Sequence, residues 1–293
     1  MNEQEQEILE KKKNRASRIL STVYNLPTIP IVIFEITKVI DNPSSSASQL
    51  GKIISQDQGL VTKILSVANS PLYGIPRRVS TIDFAIVILG FNHIKNIVIA
   101  LSMMEAFKTA GSKKFGQKKY WYHSIVTAFA AKKIADDIGY PVSGEAFTGG
   151  LLHDLGIPVI YKYFNKDYLE IIEKVKNENI SFLEAESNVL GWNHTEIARS
   201  LVERWNLPSI LADVVQFHHK PSELEGDNRL AAIVHLADYM TVRLGIGDFD
   251  WDKGYIFDKE VINILNLGDE DYLEDFIESY RSIFTQQLET INF

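Results

Sequence analysis

Six of the chain's seven histidines, His123, His153, His194, His218, His219 and His235, fall after residue 120, and two aspartates stand with them. Asp154 follows His153 directly, and Asp238 lies three residues after His235. Neutral imidazole combined with carboxylate is a donor set that suits iron, manganese, zinc or cobalt. Cysteine is absent, so no thiolate site, iron–sulfur cluster, disulfide or cysteine nucleophile can form, and any transition-metal site must use these residues. In order along the chain they read His, His-Asp, His, His-His, Asp, with gaps of 30, 40, 24 and 19 residues between the groups.

Each group sits on an element that directs it. His123 follows Tyr120-Trp121-Tyr122 in a helix whose apolar positions, Ile125, Val126, Phe129, Ala130 and Ile134, continue down its side. His153 and Asp154 end a helix that begins after Ser143, with Gly156 and Pro158 stopping it. Neighbours on a helix diverge by about 100°, so this pair can serve two adjacent positions of one centre. Gly149-Gly150, one turn earlier, predicts close helix approach. His194 opens a helix behind an Asn193/Glu196 capping pattern, on the face shared by Ile197, Leu201 and Trp205. His218-His219 close the helix opened by Leu207-Pro208. Asp238 lies in LAAIVHLADYMT, residues 230–241, a segment apolar enough to be buried. A buried carboxylate without a positive partner is costly, and a metal, a remote Lys or Arg, or His235 one turn back would each relieve that cost.

The surrounding pattern is helical throughout. No segment shows the sustained alternation or Asn-Gly turns that strands require, so the fold class is all-α. Helices are expected near Ala47–Gln56 with Ser46 as cap, over Gly59–Ala68, over Ile82–Leu89 between Ser80 or Thr81 and Gly90, from Asn92 to about Lys108, and from Gln117 to Gly139. The run Ala110-Gly111-Ser112-Lys113-Lys114 reads as a linker. It divides an N-terminal helical bundle, residues 1–114, from a helical domain over 115–245, with acidic helices over 246–293.

Composition narrows the function. Hydrophobic residues make up 45% and charged residues 23% of 293, which excludes disorder and fibrous repeats. Net charge is −8, and residues 246–293 hold twelve carboxylates against Lys253, Lys259 and Arg281. That balance argues against nucleic-acid binding, which needs clustered cations, and the basic spots at Lys11–Arg18, Arg77-Arg78 and Lys113–Lys119 read as solvated faces. The N-terminus has no apolar targeting segment, and the most apolar stretch, Ala85–Leu101, is broken by Asn92, His93, Lys95 and Asn96; the expectation is a cytoplasmic protein that does not enter a membrane. DFDWDKG, residues 248–254, has the spacing of a calcium loop, but Lys253 stands where glycine is wanted and Lys259 where glutamate is, so it reads as an acidic surface loop. Leu273, Phe276, Ile277, Tyr280 and Phe284 share one face of the C-terminal helices, suited to covering the core or to forming a homodimer surface.

The histidine order resembles the HD superfamily of metal-dependent phosphohydrolases. Residues 54–101, ISQDQGLVTKILSVANSPLYGIPRRVSTIDFAIVILGFNHIKNIVIAL, narrow the resemblance to the HDOD family, the HD-related output domains of bacterial signalling proteins. GGLLHDLGIPVI, LGWNHTEIARSLVERWNLP, VQFHHK and LAAIVHLADYM fit the same family, over about residues 20–245 in all. The resemblance implies an N-terminal bundle packed on an HD-type helical domain, with His123, His153, Asp154 and Asp238 as ligands of a first metal and His194, His218 and His219 of a second, and His235 supporting from behind. It implies one or two divalent ions, Fe, Mn or Zn. The related HD-GYP phosphodiesterases, which act on cyclic di-GMP, continue the His-Asp pair as HD-x-G-K. Here Ile157 stands in the lysine position, and Lys220-Pro221-Ser222 follows the histidine pair without a Gly-Tyr-Pro loop. The resemblance therefore implies a regulatory signal-transduction protein acting through protein partners, with a small phosphorylated or nucleotide ligand as input. The alternative is a binuclear phosphohydrolase or phosphodiesterase, with Asp154 bridging and Lys220 or Lys162 meeting phosphate.

Overall fold

In a computed structural model, the described residues are 3–22, 35–36, 38–39, 45–69, 75–106, 116–247, 249–252, 254, 256–282 and 284–285. Among them every regular element is helical and none is a strand. The N-terminal part holds α1 (Glu3–Thr22), α2 (Ala47–Ile54), α3 (Gln58–Ala68), α4 (Ile82–Leu89) and α5 (Phe91–Ala106). After residue 115 come α6 (Gln117–Asp137), α7 (Ser143–Leu152), α8 (Gly156–Tyr163), α9 (Asn165–Glu178), α10 (Phe182–Leu190), α11 (His194–Arg204), α12 (Ser209–Phe217) and α13 (Arg229–Leu244). Two acidic helices, α14 (Glu260–Ile264) and α15 (Glu270–Ser279), complete the order. The Ala110–Lys114 linker, together with Asp248 and Lys253 of the DFDWDKG segment, lies outside the described residues.

Helix starts follow side-chain caps. Ser46 Oγ accepts from Gln49 N–H while Gln49 Oε1 accepts from Ser46 N–H, a reciprocal capping box that opens α2. Thr81 caps α4, and Asn193 with Glu196 caps α11. Asp57 caps α3 through Leu60 N–H, so that helix opens one residue earlier than the sequence suggests. Each such cap contributes about 1 kcal/mol. One boundary runs the other way: Gly156 and Pro158 open α8 instead of closing α7, which ends at Leu152. Proline is tolerated in a first helical turn because the N–H it lacks would have no partner there. His153 and Asp154 consequently lie in the tight turn between α7 and α8.

The centre of the molecule is α6, buried along most of its length. One apolar cluster extends from its first half through α2–α5 and α7–α12; a second joins its other side to α13, α14 and α15, where Leu273, Ile277, Tyr280 and Phe284 are buried. The C-terminal helices thus cover the core. Glycines allow the closest approaches: a Cβ on Gly150 would lie 2.8 Å from Ala128 Cα, and one on Gly156 would lie 2.0 Å from His194 O. The first lays α7 directly on α6, as Gly149-Gly150 predicts, and the second sets the start of α8 against the start of α11.

Helix α1 packs on α10. Arg15 forms a two-pronged ion pair with Asp167 at 2.8 and 2.9 Å, Lys12 donates to Asn188 O, and Arg204 donates to Leu20 O. Ala16 and Leu20 bury beneath these contacts. The α8–α11 approach is open to a direct test. Gly156→Ala pushes a methyl into backbone that has no room to yield, and should lower unfolding free energy by about 3 kcal/mol, read by urea denaturation. An unchanged midpoint would mean that the two helix starts are not in contact.

Candidate metal centre

The five sequence groups converge. His123 comes from the second turn of α6, His153 and Asp154 from the α7–α8 turn, His194 from the first position of α11, His218 and His219 from the end of α12, and Asp238 from the middle of α13. Their ligand atoms form two groups, each within 4.8 Å: His123, His153 and Asp238 in one, Asp154, His194, His218 and His219 in the other. Asp154 belongs to both by position. Its Oδ2 is 3.3 Å from His153 Nε2 and 3.6 Å from His123 Nε2, while Oδ1 is 3.4 Å from His194 Nε2 and 3.5 Å from His218 Nε2. The divergence expected of residues 153 and 154 is realised: the histidine serves one group and the aspartate spans the two.

Hydrogen bonds fix which nitrogen faces inward. His123 Nδ1 donates to Gly247 O at 2.9 Å, His153 Nδ1 to Gly150 O at 2.7 Å, and His218 Nδ1 to Val215 O at 3.0 Å. Carbonyl oxygens only accept, so these Nδ1 atoms carry hydrogen and, in the neutral ring, Nε2 presents a bare lone pair. His194 Nδ1 donates to Glu186 Oε2 at 2.8 Å with the same consequence. Yet His123 Nε2 and His153 Nε2 are 3.1 Å apart, and His194 Nε2 and His219 Nε2 are also 3.1 Å apart. In the first pair both Nδ1 atoms carry the hydrogen, so two lone pairs face one another and repel unless a proton or a metal ion lies between them; in the second, His219 can donate to His194.

The acids have the same need. Asp238 is buried with neither oxygen in a hydrogen bond, and Asp154 Oδ2 and His218 Nε2 are likewise without one. Asp238 Oδ1 lies 3.3 Å from His123 Nε2, inside ion-pair range but not aligned as a hydrogen bond. Burial pushes both carboxyls up, but the surrounding histidines outweigh it and hold Asp154 well below the ordinary carboxylate range, and Asp238 below it too. His153 is pulled down by burial and raised further by Asp154 and Asp238, ending above its ordinary value. Burial keeps His218 and His219 below theirs. Two anions facing a set of lone pairs, with no Lys or Arg paired to either among the described residues, are the electrostatics of a cation site. The donor set fits one or two divalent ions. His219 alone of the seven residues is partly exposed, so the centre opens on the α12 side.

A supporting layer lies behind the seven. His235 is not part of either group; its Nδ1 donates to His218 O at 2.7 Å and its Nε2 accepts from Asp258 N–H at 2.9 Å, holding the backbone that carries the histidine pair. Glu186, absent from the sequence candidates, is wholly buried and accepts from His194 Nδ1, His194 N–H and Trp251 Nε1. A signal for it exists in the sequence: Phe182, Ala185, Val189 and Leu190 mark the buried side of α10, and a glutamate among them requires partners just as Asp238 does. The structure corrects the reading of DFDWDKG as a surface loop. Phe249 and Trp251 are buried, and Trp251 stacks on Phe182 at 4.0 Å between ring centres, so this stretch covers the centre. Of the candidate phosphate contacts, Lys220 is exposed beside His219 and Lys162 lies over the Tyr163 ring, while Ile157 is fully buried in the core.

An all-α protein in which five separated segments deliver such a cluster, with adjacent His and Asp at its middle, has the architecture of an HD-type domain. The chain belongs to the HDOD domain family, whose profile matches residues 26–221. Its fold is similar to that of an HDOD domain protein of unknown function from Geobacter sulfurreducens, with a TM-score of 0.76 at 25% identity over 97% of this chain and 99% of that one. A protein from Shewanella amazonensis, provisionally designated a phosphohydrolase, shares the fold at a TM-score of 0.72 and 24% identity over 94% of this chain and 98% of that one. An uncharacterized protein of Treponema pallidum is 25% identical over 271 residues, 92% of this chain, which spans only 52% of that relative's length. No helix among the described residues is long and apolar enough to cross a membrane.

Burial depresses the His235 pKa to about 4. As pH falls below the ordinary histidine value near 6.5, the unfolded chain takes up this proton before the folded one does. Stability should therefore decline between about pH 6.5 and pH 4, by about 3 kcal/mol for a shift of this size. Nitrogen-15 NMR of the ring should show His235 neutral, with hydrogen on Nδ1, down to about pH 4. Titration near 6.5 would contradict its buried, doubly bonded position.

Proposed function

We propose that this protein is a signal-transduction component that acts through protein partners and carries a buried two-ion divalent metal centre as the element that sets its state. The observation that carries the reading is the facing of the His123 and His153 Nε2 atoms across 3.1 Å, beside buried oxygens of Asp238 and Asp154 and a buried His218 Nε2 that make no hydrogen bond. His123, His153, Asp238 and Asp154 Oδ2 would hold one ion; His194, His218, His219 and Asp154 Oδ1 would hold the other. Nitrogen and oxygen donors without sulfur suit Fe, Mn or Zn. When bound, such ions act as Lewis acids toward an oxygen ligand or a phosphate.

Regulation is favoured over turnover by what surrounds the centre. Six of the seven residues are buried, and the residue three positions after Asp154 is the buried Ile157, which cannot neutralise a phosphate. Contact with protein partners finds support on α4, where Phe84, Val87 and Ile88, at helical spacing, leave an exposed apolar stripe opposite the buried Ile82, Ala85 and Ile86. The small ligand of such a protein would be phosphorylated or a nucleotide, and would reach the centre past His219. A second reading, a binuclear phosphohydrolase, is supported by one specific feature: two groups of donors that could each hold an ion lie on either side of Asp154, with Lys220 exposed at the open side.

The readings separate in one set of measurements on tag-free protein purified without chelators. Elemental analysis should find two ions per chain, matching the two groups, and at most one in Asp154→Asn. Hydrolysis of bis-p-nitrophenyl phosphate with added manganese or iron should be absent. Turnover that disappears in Asp154→Asn would establish the hydrolase instead, and protein without metal in any preparation would refute both.

A further inference from the structure

Resting on the metal-centre reading, a second connection leads from the ligands to the surface. Glu186 uses both oxygens: Oε2 accepts from His194 Nδ1 at 2.8 Å and His194 N–H at 2.7 Å, and Oε1 accepts from the Trp251 indole. Trp251 lies in a stack, 4.0 Å from Phe182 and 5.4 Å from Tyr168 between ring centres. The stretch that carries Trp251 is tied to the other ligand group as well: Gly247 O accepts from His123 Nδ1, and Phe249 stacks on the His123 ring at 6.2 Å. Phe249, Asp250 and Trp251 in turn line a surface groove of about 1010 Å³, together with Ile172, Val175 and Lys176 of α9.

We propose that the described residues Gly247, Phe249, Asp250 and Trp251 form a metal-responsive latch, in which Glu186 is the positioning residue that couples the His194 ion position to the groove. The physical argument is linkage. An ion on His194 Nε2 withdraws electron density from the ring and strengthens the Nδ1–H bond to Glu186, which fixes the carboxylate and, through it, the indole. By the same linkage, if the ion changes the affinity of the groove for an occupant by some factor, the occupant changes the affinity of that ion position by the same factor. The tautomer-fixing bonds of His123, His153 and His218 end on backbone carbonyls of Gly247, Gly150 and Val215, whereas that of His194 ends on a carboxylate whose second oxygen is held by Trp251.

The test is hydrogen exchange by mass spectrometry on the full chain, chelated and then loaded with Zn²⁺, beside metal titration of wild type, Glu186→Gln and Trp251→Phe. Glutamine keeps the shape of the side chain but loses the charge; phenylalanine keeps an aromatic ring but loses the indole N–H. Loading should slow exchange over residues 249–252 in wild type. Glu186→Gln should bind one of its ions about 10- to 100-fold more weakly than wild type, Trp251→Phe should shift in the same direction, and in both the protection of 249–252 should no longer follow loading. Trp251→Phe serves alone if Glu186→Gln fails to fold. Two ions bound with exchange over 249–252 unaltered, or variants that load as wild type does, would overturn the latch and leave the metal centre standing. No ion bound by the wild type would overturn both.

Discussion

The constraint on which the structure turns is the burial of two carboxylates, Asp154 and Asp238, whose ion-pair-range partners among the described residues are histidines. In a low-dielectric interior an uncompensated anion costs several kcal/mol, and an imidazole whose other nitrogen is already committed to a carbonyl can help only by taking a proton or sharing a cation. The cluster is therefore a conditional structure. Without a cation it must hold protons on groups such as His153; with one, every inward atom becomes a donor in use. Metal uptake and proton release are thereby joined, as they are wherever neutral histidines and ionised carboxylates bind a metal.

Meeting that constraint demands backbone placed to within a fraction of an ångström, and the helices supply it through contact without side chains. Gly150 brings α7 onto α6 at Ala128, and its own carbonyl is the one that orients His153. Gly156 brings the α7–α8 turn against the carbonyl of His194, so that Asp154 and His194 enter the cluster from abutting backbone. Glycines that serve packing are in this way also part of the site's geometry.

Much of this organisation is legible in the amino-acid sequence. Capping patterns at Ser46, Thr81 and Asn193 depend on local chemistry and place their helices correctly. The site residues stand out because each is an ionisable group on an apolar element, and only shared use explains all of them. What the sequence hides is non-local. Pro158 reads as a stop because proline ends helices far more often than it occupies a first turn after a glycine. Trp251 is concealed in a run of aspartates whose charge suggests solvent, while its partner Glu186 lies 65 residues away. Nor does the amphipathic pattern of α1 reveal that its Arg15 answers Asp167 on α9.

The two groups of ligand atoms differ in what stands behind them. Behind His153 stands the Gly150 carbonyl, set by α7, and behind His123 the Gly247 carbonyl, in the stretch beyond α13 that carries Trp251. Behind His194 stands a carboxylate whose second oxygen is held by a residue at the surface groove. A ligand held by main chain is suited to permanent structure, whereas one held by a side chain with its own partner can be adjusted without unfolding anything. Asp154, with one oxygen toward each group, lies between them. The proposed regulatory reading draws on this asymmetry: a change at the groove can reach His194 through one side chain, whereas a change at His153 requires movement of α7 itself.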